Sequence, residues 1–303
     1  MVGNNSFNVS NATQVGSTAR FKKRSGGFTL LEVLMALAVG LIAIGAAYSV
    51  YDAQLKAHRN RKLSLELQQN LRAALMFVEQ EIRIAGFDPE GSGHFGIVDV
   101  RRYELEGTGT DYAGQPSLFY TVDHDENGEL DARNHDRNQE HCSFRIRHDP
   151  AIGRRYLSWD NGAGRHPLSE TIHQIGFAYG VDADEDGRLD TWNGGTHLVW
   201  AVDSDNDNRL DTHLDANGDG VIDPSDDTNG DGRIDPADGG AIDPPLSVDR
   251  IRAVRVWLLA RSRTPVPGRY DANRLVVGDR ISAPVDGRFM RKVIEADVIA
   301  RNL

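Results

Sequence analysis

The stretch Gly26-Gly27-Phe28-Thr29-Leu30-Leu31-Glu32 opens an apolar run that decides the fold of this chain. Four cations lie just before it, and no charged residue follows Glu32 until after Tyr51. The nineteen uncharged residues 33–51 would span roughly 28 Å as a helix, close to the hydrocarbon thickness of a bilayer. We therefore predict a membrane-spanning helix over about residues 28–51. An acid at that depth is costly and usually functional, so Glu32 needs a partner.

The order of small and apolar residues separates this motif from a secretory signal peptide. A signal peptide has a shorter apolar core, with its small-residue cleavage site after that core. Here Gly26 and Gly27 lie before the apolar run, and the motif resembles the leader of type IV prepilins and pseudopilins. That resemblance implies that prepilin peptidase removes residues 1–27 by cutting between Gly27 and Phe28, and that Phe28 is N-methylated. It also implies that Glu32 pairs with the N-terminal ammonium of a neighbouring subunit during assembly.

The distribution of charge predicts where the protein is located and which partners it can bind, and the cysteine content excludes an intrachain disulfide. The cations before the apolar run predict a cytoplasmic N-terminus and a periplasmic head on a single-pass inner-membrane protein. The resemblance implies transfer to a cell-surface pilus after assembly, with other pilins as partners. A formal charge of −11 argues against nucleic acid, because binding to phosphates requires Lys and Arg. Cys142 is the single cysteine, so no intrachain disulfide can form.

The apolar run continues into a segment with helical periodicity. No proline occurs between Phe28 and Pro89, so one unbroken helix is possible over residues 28–86, with Gly86 ending it. Beyond Tyr51 an apolar stripe follows one helical face, which predicts that this half packs on the chain's own globular domain. The stripe consists of Leu67, Leu71, Leu75, Val78, Ile82 and Ala85.

Four further segments indicate which group of pilins the chain resembles most. Residues 69–75, 81–89, 254–261 and 298–302 resemble the corresponding parts of PilW-like minor pilins. The J-type pseudopilins of type II secretion share this architecture and are the nearest alternative. Either resemblance implies an α+β, pilin-like fold, with the long helix packed on an antiparallel sheet in a head formed by residues 87–303.

The middle of the chain contains short β-prone runs separated by Gly, Asp and Pro. Their lengths indicate antiparallel sheet rather than parallel strands joined by helices. The predicted strands are Ser117–Val122, Ser143–His148, Arg154–Trp159, Ile172–Val181, His197–Val202, Ile251–Ala260, Arg274–Val277 and Lys292–Ala300.

The region 182–243 is a predicted calcium-binding insertion in the head. Residues 203–243 alone contain thirteen Asp and only two cations. A twelve-residue repeat accounts for twelve of these thirteen Asp. It has oxygen-bearing side chains at positions one, three, five and nine, usually Gly at six and an aliphatic residue at eight. We number five copies along the chain: loop 1 (123–134), loop 2 (182–193), loop 3 (203–214), loop 4 (215–226) and loop 5 (227–238).

This spacing suits a hard divalent cation. Oxygens at positions one, three and five converge on one ion, a carbonyl at seven and groups at nine and twelve complete about seven ligands, and glycine at six permits the turn. The copies resemble the calcium loops of dockerins and thrombospondin type 3 repeats, which implies Ca²⁺. Candidate ligands are Asp182, Asp184, Asp186, Asp190, Asp203, Asp205, Asp207, Asp211, Asp215, Asn217, Asp219, Asp223, Asp226, Asp227, Asn229, Asp231, Asp235 and Asp238, with a weaker set of Asp123, Asp125, Asn127 and Asp131.

Loops 1 and 3 depart from the repeat. In loop 3, Asn208 replaces the glycine and Leu214 occupies position twelve, and in loop 1 position twelve is Asn134. No spacing typical of a catalytic centre occurs, so we do not expect an enzyme. The sequence predicts a PilW-like minor pilin that is incorporated into a type IV pilus or primes its assembly. The alternatives are a J-type pseudopilin and a Ca²⁺-dependent adhesion module at the pilus tip.

Overall fold

The structure, a computed structural model, describes residues 26–102, 116–131, 140–149, 154–268, 270–284 and 286–303. Residues 1–25 of the predicted leader lie outside this set. The chain divides into two compact units, residues 1–55 and 56–303. Helix α1, Leu30–Ile84, begins in the first unit and continues into the second. Its bounds are within two residues of the predicted 28–86, and Gly86 follows it with a left-handed φ of 75°.

From Leu30 to Tyr51, within the first unit, α1 exposes its apolar side chains. This part of the helix is long and apolar enough to cross a membrane by length and composition. Together with the N-terminal motif, this indicates membrane anchoring.

The described residues of the second unit form the rest of α1 and three antiparallel β-sheets. A five-stranded sheet has the order β1-β2-β3-β4-β5, a six-stranded sheet has the order β13-β10-β6-β7-β8-β9, and β11 pairs with β12. The strands are β1 Ile97–Asp99, β2 Leu118–Thr121, β3 His141–Asp149, β4 Arg154–Asp160, β5 Arg165–Ser169, β6 Ile172–Val181, β7 Ala201–Val202, β8 Arg209–His213, β9 Ala241–Ser247, β10 Ile251–Arg261, β11 Leu275–Val277, β12 Arg280–Ser282 and β13 Arg291–Ile299.

The predicted stripe of α1 forms one side of the main core. All six of its residues are buried, and they belong to a cluster that also takes side chains from both large sheets. Phe77 of α1 packs edge-on against Trp159 at 5.2 Å and Phe144 at 6.2 Å between ring centroids. The Tyr120 hydroxyl donates to the Glu81 carboxylate at 2.8 Å, which adds a polar contact between sheet and helix.

The central strands of the six-stranded sheet are buried on both faces. Val254, Val256 and Leu258 of β10 face the cluster that contains α1, whereas Trp257 and Leu259 face a second apolar cluster. The acidic loops and the β11–β12 hairpin contribute to that second cluster through Leu214, Ile234, Val276 and Ile281. Loops 3 and 5 are therefore attached to the far face of the sheet by apolar contacts.

The strand predictions differ from the structure in two ways. The predicted run His197–Val202 contains only the short β7, with Leu198 bridged separately to Thr191. Strands β1, β5, β8, β9 and β12 were missed. Two of these, β5 and β9, contain prolines and lie at sheet edges, where a residue without an N–H is tolerated.

Candidate functional site

The five acidic loops share one local geometry at their first residue. In each loop the position-one aspartate is buried, and its Oδ2 accepts the backbone N–H of position six. The pairs are Asp123 with Gly128 at 3.0 Å, Asp182 with Gly187 at 3.0 Å, Asp203 with Asn208 at 2.9 Å, Asp215 with Gly220 at 2.9 Å and Asp227 with Gly232 at 3.1 Å. Each loop thus turns back on its own first carboxylate.

Position six requires a left-handed backbone, which explains the glycines. Its φ is 72° at Gly128, 82° at Gly187, 87° at Gly220 and 93° at Gly232. Asn208 adopts the same conformation in loop 3, with φ 68°, and asparagine is among the few residues that tolerate it.

The side chain of Asn208 has a structural role that a glycine would lack. Its Oδ1 accepts the Val100 N–H at 3.0 Å, and its Nδ2 donates to the Val98 carbonyl at 3.1 Å. Asn208 therefore ties loop 3 to the β1 segment. Asn208 departs from the glycine that the repeat usually has at position six, yet it preserves the turn of loop 3.

The aliphatic residue at position eight anchors several loops. Leu210 and Ile234 are fully buried, and Leu189 and Ile222 are partly buried against the second apolar cluster. Loop 5 is also joined to the β11–β12 hairpin, because the Ile234 N–H donates to the Asp279 carbonyl at 2.8 Å. The loops are thus held to the sheet by these packed side chains.

Carboxylate oxygens converge in loops 1 to 3. Within the part of the chain that the structure describes, three groups have oxygens that all lie within 4.8 Å of one another, and each group could hold a metal ion. The groups are Asp123 with Asp125 and Glu140, Asp182 with Asp184 and Asp190, and Asp203 with Asp205 and Asp211.

Glu140 was not predicted from the sequence. Asn134, at position twelve of loop 1, lies outside the described residues. Glu140, the residue just before β3, accepts the Asp131 N–H at 2.8 Å. In loops 4 and 5 the position-twelve aspartates accept the N–H of position nine in the same way, at 2.8 Å for Asp226 and 3.0 Å for Asp238. Glu140 therefore takes the place of position twelve.

Loops 4 and 5 differ from the others because one oxygen of their first carboxylate is left without a partner. In loops 1 to 3 the position-five N–H donates to Oδ1 of position one. In loops 4 and 5 that N–H donates instead to the asparagine carbonyl at position three. Asp215 Oδ1 and Asp227 Oδ1 are therefore buried with no hydrogen-bond partner among the described residues.

Such an arrangement fits a cation better than an empty loop. The side chains of Asp215 and Asp227 are 4% and 0% exposed, and an unpaired buried carboxylate oxygen is costly. Burial, together with Asp215 and Asp219, raises the pKa of Asp226. Burial and the neighbouring loop carboxylates likewise raise the pKa of Asp203 and of Glu140. A bound divalent cation would relieve both the unpaired oxygens and the charge repulsion.

The N-terminal motif is described from Gly26 onward. Phe28 is 86% exposed, and Glu32 lies in the first turn of α1. Thr29 and Glu32 bond to each other at the helix start, in a pattern that sequence reasoning missed although the Thr-x-x-Glu spacing signals it.

A motif of this kind, an anchoring helix and antiparallel sheets packed on its second half together define a type IV pilin-like protein. The family model for the prokaryotic N-terminal methylation motif matches residues 22–48, and that for prepilin peptidase-dependent protein B matches residues 60–165. The model for type IV pilus-assembly protein W matches residues 120–302, more than half of the chain. The chain belongs to the type IV pilus-assembly protein W family and is a PilW-like minor pilin.

Comparison with individual proteins adds little to this assignment. A solved type IV-like pilin from Thermus thermophilus is similar at 14% identity with a TM-score of 0.38, over 78% of this chain and 97% of that chain. No curated protein sequence matches the chain. Pilin-family proteins are structural, and association with other pilus components and with prepilin peptidase follows from the family and the motif.

Proposed function

We propose that this chain is a non-catalytic minor pilin that enters a type IV pilus or primes its assembly. It would lie in the inner membrane with a cytoplasmic leader and a periplasmic head, and would reach the cell surface within the pilus. The observation that carries this proposal is the prepilin motif placed directly before α1, whose second half is packed into the head. One helix would thus provide both the membrane segment and one side of the core of the head.

Processing and assembly would use the start of α1. Prepilin peptidase would cut between Gly27 and Phe28, Phe28 would be N-methylated, and its ammonium would pair with Glu32 of a neighbouring subunit. A desolvated carboxylate and an ammonium neutralise each other, whereas either one alone in a bilayer is costly. The high exposure of Phe28 and of the apolar face behind it supports a role in contacts between subunits.

The acidic loops would bind Ca²⁺ and stabilise the head. Loops 4 and 5 have the strongest support, because Asp215 Oδ1 and Asp227 Oδ1 lack partners. Ligands would be the carboxylate and amide oxygens at positions one, three and five, with groups at seven, nine and twelve. Ca²⁺ accepts this number of oxygens, whereas Mg²⁺ requires a small octahedron and retains its waters.

A deletion strain tests the assembly role. We expect loss or strong reduction of surface pili, counted by electron microscopy, with restoration by the full-length gene in trans. Type II secretion of an exported enzyme should be unchanged. Normal piliation together with defective secretion would overturn the proposal in favour of a pseudopilin.

A further inference from the structure

Loops 4 and 5 are nearly identical in sequence and in backbone contacts. Both have Asp, Asn and Asp at positions one, three and five, and both direct their position-twelve carboxylate to the N–H groups of positions three and nine. Both leave Oδ1 of position one buried and without a partner. The two loops are therefore matched in ligand type and in backbone contacts, and they differ in their surroundings and at positions two, seven and eleven.

Their surroundings differ in positive charge. Arg274, which directly precedes β11, donates from Nη2 to Asp227 Oδ2 at 2.5 Å. The corresponding oxygen of loop 4, Asp215 Oδ2, forms no ion pair with an arginine or lysine among the described residues, and the His197 Nδ1 lies 3.6 Å from it. A guanidinium carries a permanent charge and forms directed hydrogen bonds with carboxylates.

Position seven adds to the contrast. It is Val221 in loop 4 and Arg233 in loop 5, so loop 4 contains four acids and no base, whereas loop 5 contains four acids and one base. Arg233 points away from its own loop, with Nη2 3.2 Å from the Ser204 carbonyl and 3.5 Å from Asp279. Arg274 is thus the cation in direct contact with the first ligand of loop 5.

We propose that Arg274 sets the cation affinity of loop 5, so that loop 4 is the tighter and loop 5 the weaker of two unequal sites. This inference rests on the proposed cation binding. Arg274 occupies Oδ2 and leaves Oδ1 free, so it lowers the attraction for an ion without blocking the ligand. Affinity in loops of this type follows the charge of the ligand set. Because the Arg274 side chain is 45% exposed, solvent screens its effect, and we expect a change of about tenfold.

Calorimetric titration of the EDTA-stripped full chain in detergent with CaCl₂ tests the order of affinities. Asp215→Asn and Asp227→Asn assign the heats, because each removes the binding that depends on one loop. The tighter binding should disappear in Asp215→Asn and the weaker in Asp227→Asn. The reverse order would overturn the inference without affecting the proposed cation binding. Absence of any binding that depends on either residue would overturn both.

Substitution of the arginine tests the cause. Arg274→Gln should tighten the Asp227-dependent binding about tenfold and leave the Asp215-dependent binding unchanged, whereas Arg274→Lys, which keeps the charge, should stay close to wild type. Arg263→Gln is the matched control, because it removes an exposed arginine that pairs with Glu170, at 3.3 Å, outside the loops. Equal loop 5 affinity in wild type and folded Arg274→Gln, checked by circular dichroism, would refute the role of Arg274.

Discussion

Thr29 and Glu32 cap helix α1 reciprocally: the Glu32 N–H donates to Thr29 Oγ1 at 3.2 Å, and the Thr29 N–H donates to Glu32 Oε2 at 3.1 Å. This is a capping box, which satisfies two N–H groups that the helix start leaves unpaired. The carboxylate therefore has a partner within its own chain before any neighbouring subunit is present. A truncation of Glu32 would remove a helix cap as well as a charge, and the two effects must be separated by experiment.

Cation binding should stabilise the head. We expect Ca²⁺ at 100 times its dissociation constant to raise the unfolding free energy by about 2.7 kcal/mol per independent site. Differential scanning calorimetry of the full chain should show a higher melting temperature in CaCl₂ than in EDTA. The double variant Asp215→Asn/Asp227→Asn should lose much of this increase, whereas Asp249→Asn, at an exposed position outside the loops, should retain it. Equal melting temperatures of wild type with and without Ca²⁺ would rule out stabilisation.

The packing of α1 on the sheets should dominate the stability of the head. Ile82 is fully buried in the main core, and Ile84, two residues later on the same helix, is 42% exposed. Ile82→Ala should lower the unfolding free energy by about 2–5 kcal/mol, because it leaves a cavity. Ile84→Ala should change it by no more than about 0.5 kcal/mol. Urea unfolding in EDTA measures both, and similar effects of the two substitutions would contradict the observed burial.

Asn208 should be more sensitive to alanine than to glycine. Asn208→Ala loses both hydrogen bonds to the β1 segment and places a less tolerant residue at a φ of 68°, with an expected cost of about 1–3 kcal/mol. Asn208→Gly loses the same bonds but accepts the backbone conformation. The order wild type, glycine, alanine in unfolding free energy, measured in EDTA, is the predicted outcome. An alanine variant as stable as the glycine variant would show that the backbone conformation costs nothing here.

His173 should make the head less stable in mild acid. Burial, with added repulsion from Arg261 and Arg155, lowers the pKa of His173 from its ordinary 6.5 to about 4. Below pH 6.5 the His173 imidazole therefore binds a proton in the unfolded chain, whereas in the folded chain it stays neutral until about pH 4. The free energy of unfolding consequently decreases as pH falls through this window. His173→Asn should show a shallower decline than wild type between these limits, while His94→Asn, at an exposed position, should follow wild type. Parallel declines of wild type and His173→Asn would show that His173 does not contribute.

Secondary structure could be predicted from the sequence where the pattern of apolar residues repeats at short range. The apolar stripe of α1 follows helical periodicity, and all six of its residues are buried. Strand β6 has the predicted bounds, Ile172–Val181, and its central place in the six-stranded sheet explains its apolar character. Five strands were missed, among them β9, whose prolines disguise an edge strand.

Contacts between residues that are far apart in the sequence could not be predicted from the sequence. Glu140 completes loop 1 only because β3 returns beside β2, and Arg274 reaches Asp227 across 47 positions. Neither residue belongs to the repeat whose electrostatics it changes. The unpartnered oxygens of loops 4 and 5, in which the position-five N–H donates only to the asparagine at position three, are likewise visible only in three dimensions.

The most direct test of the pilin assignment is the amount of this protein in pili sheared from cells that express Glu32→Gln or Thr29→Ala, measured by immunoblot against total protein. Glutamine keeps an oxygen for the helix cap but removes the charge, whereas Thr29→Ala removes the capping hydroxyl and keeps the carboxylate. We predict that Glu32→Gln is processed by the peptidase yet falls at least about tenfold in sheared pili, since an unpaired ammonium would be buried, while Thr29→Ala remains close to wild type. Wild-type amounts of processed Glu32→Gln in sheared pili would contradict the account.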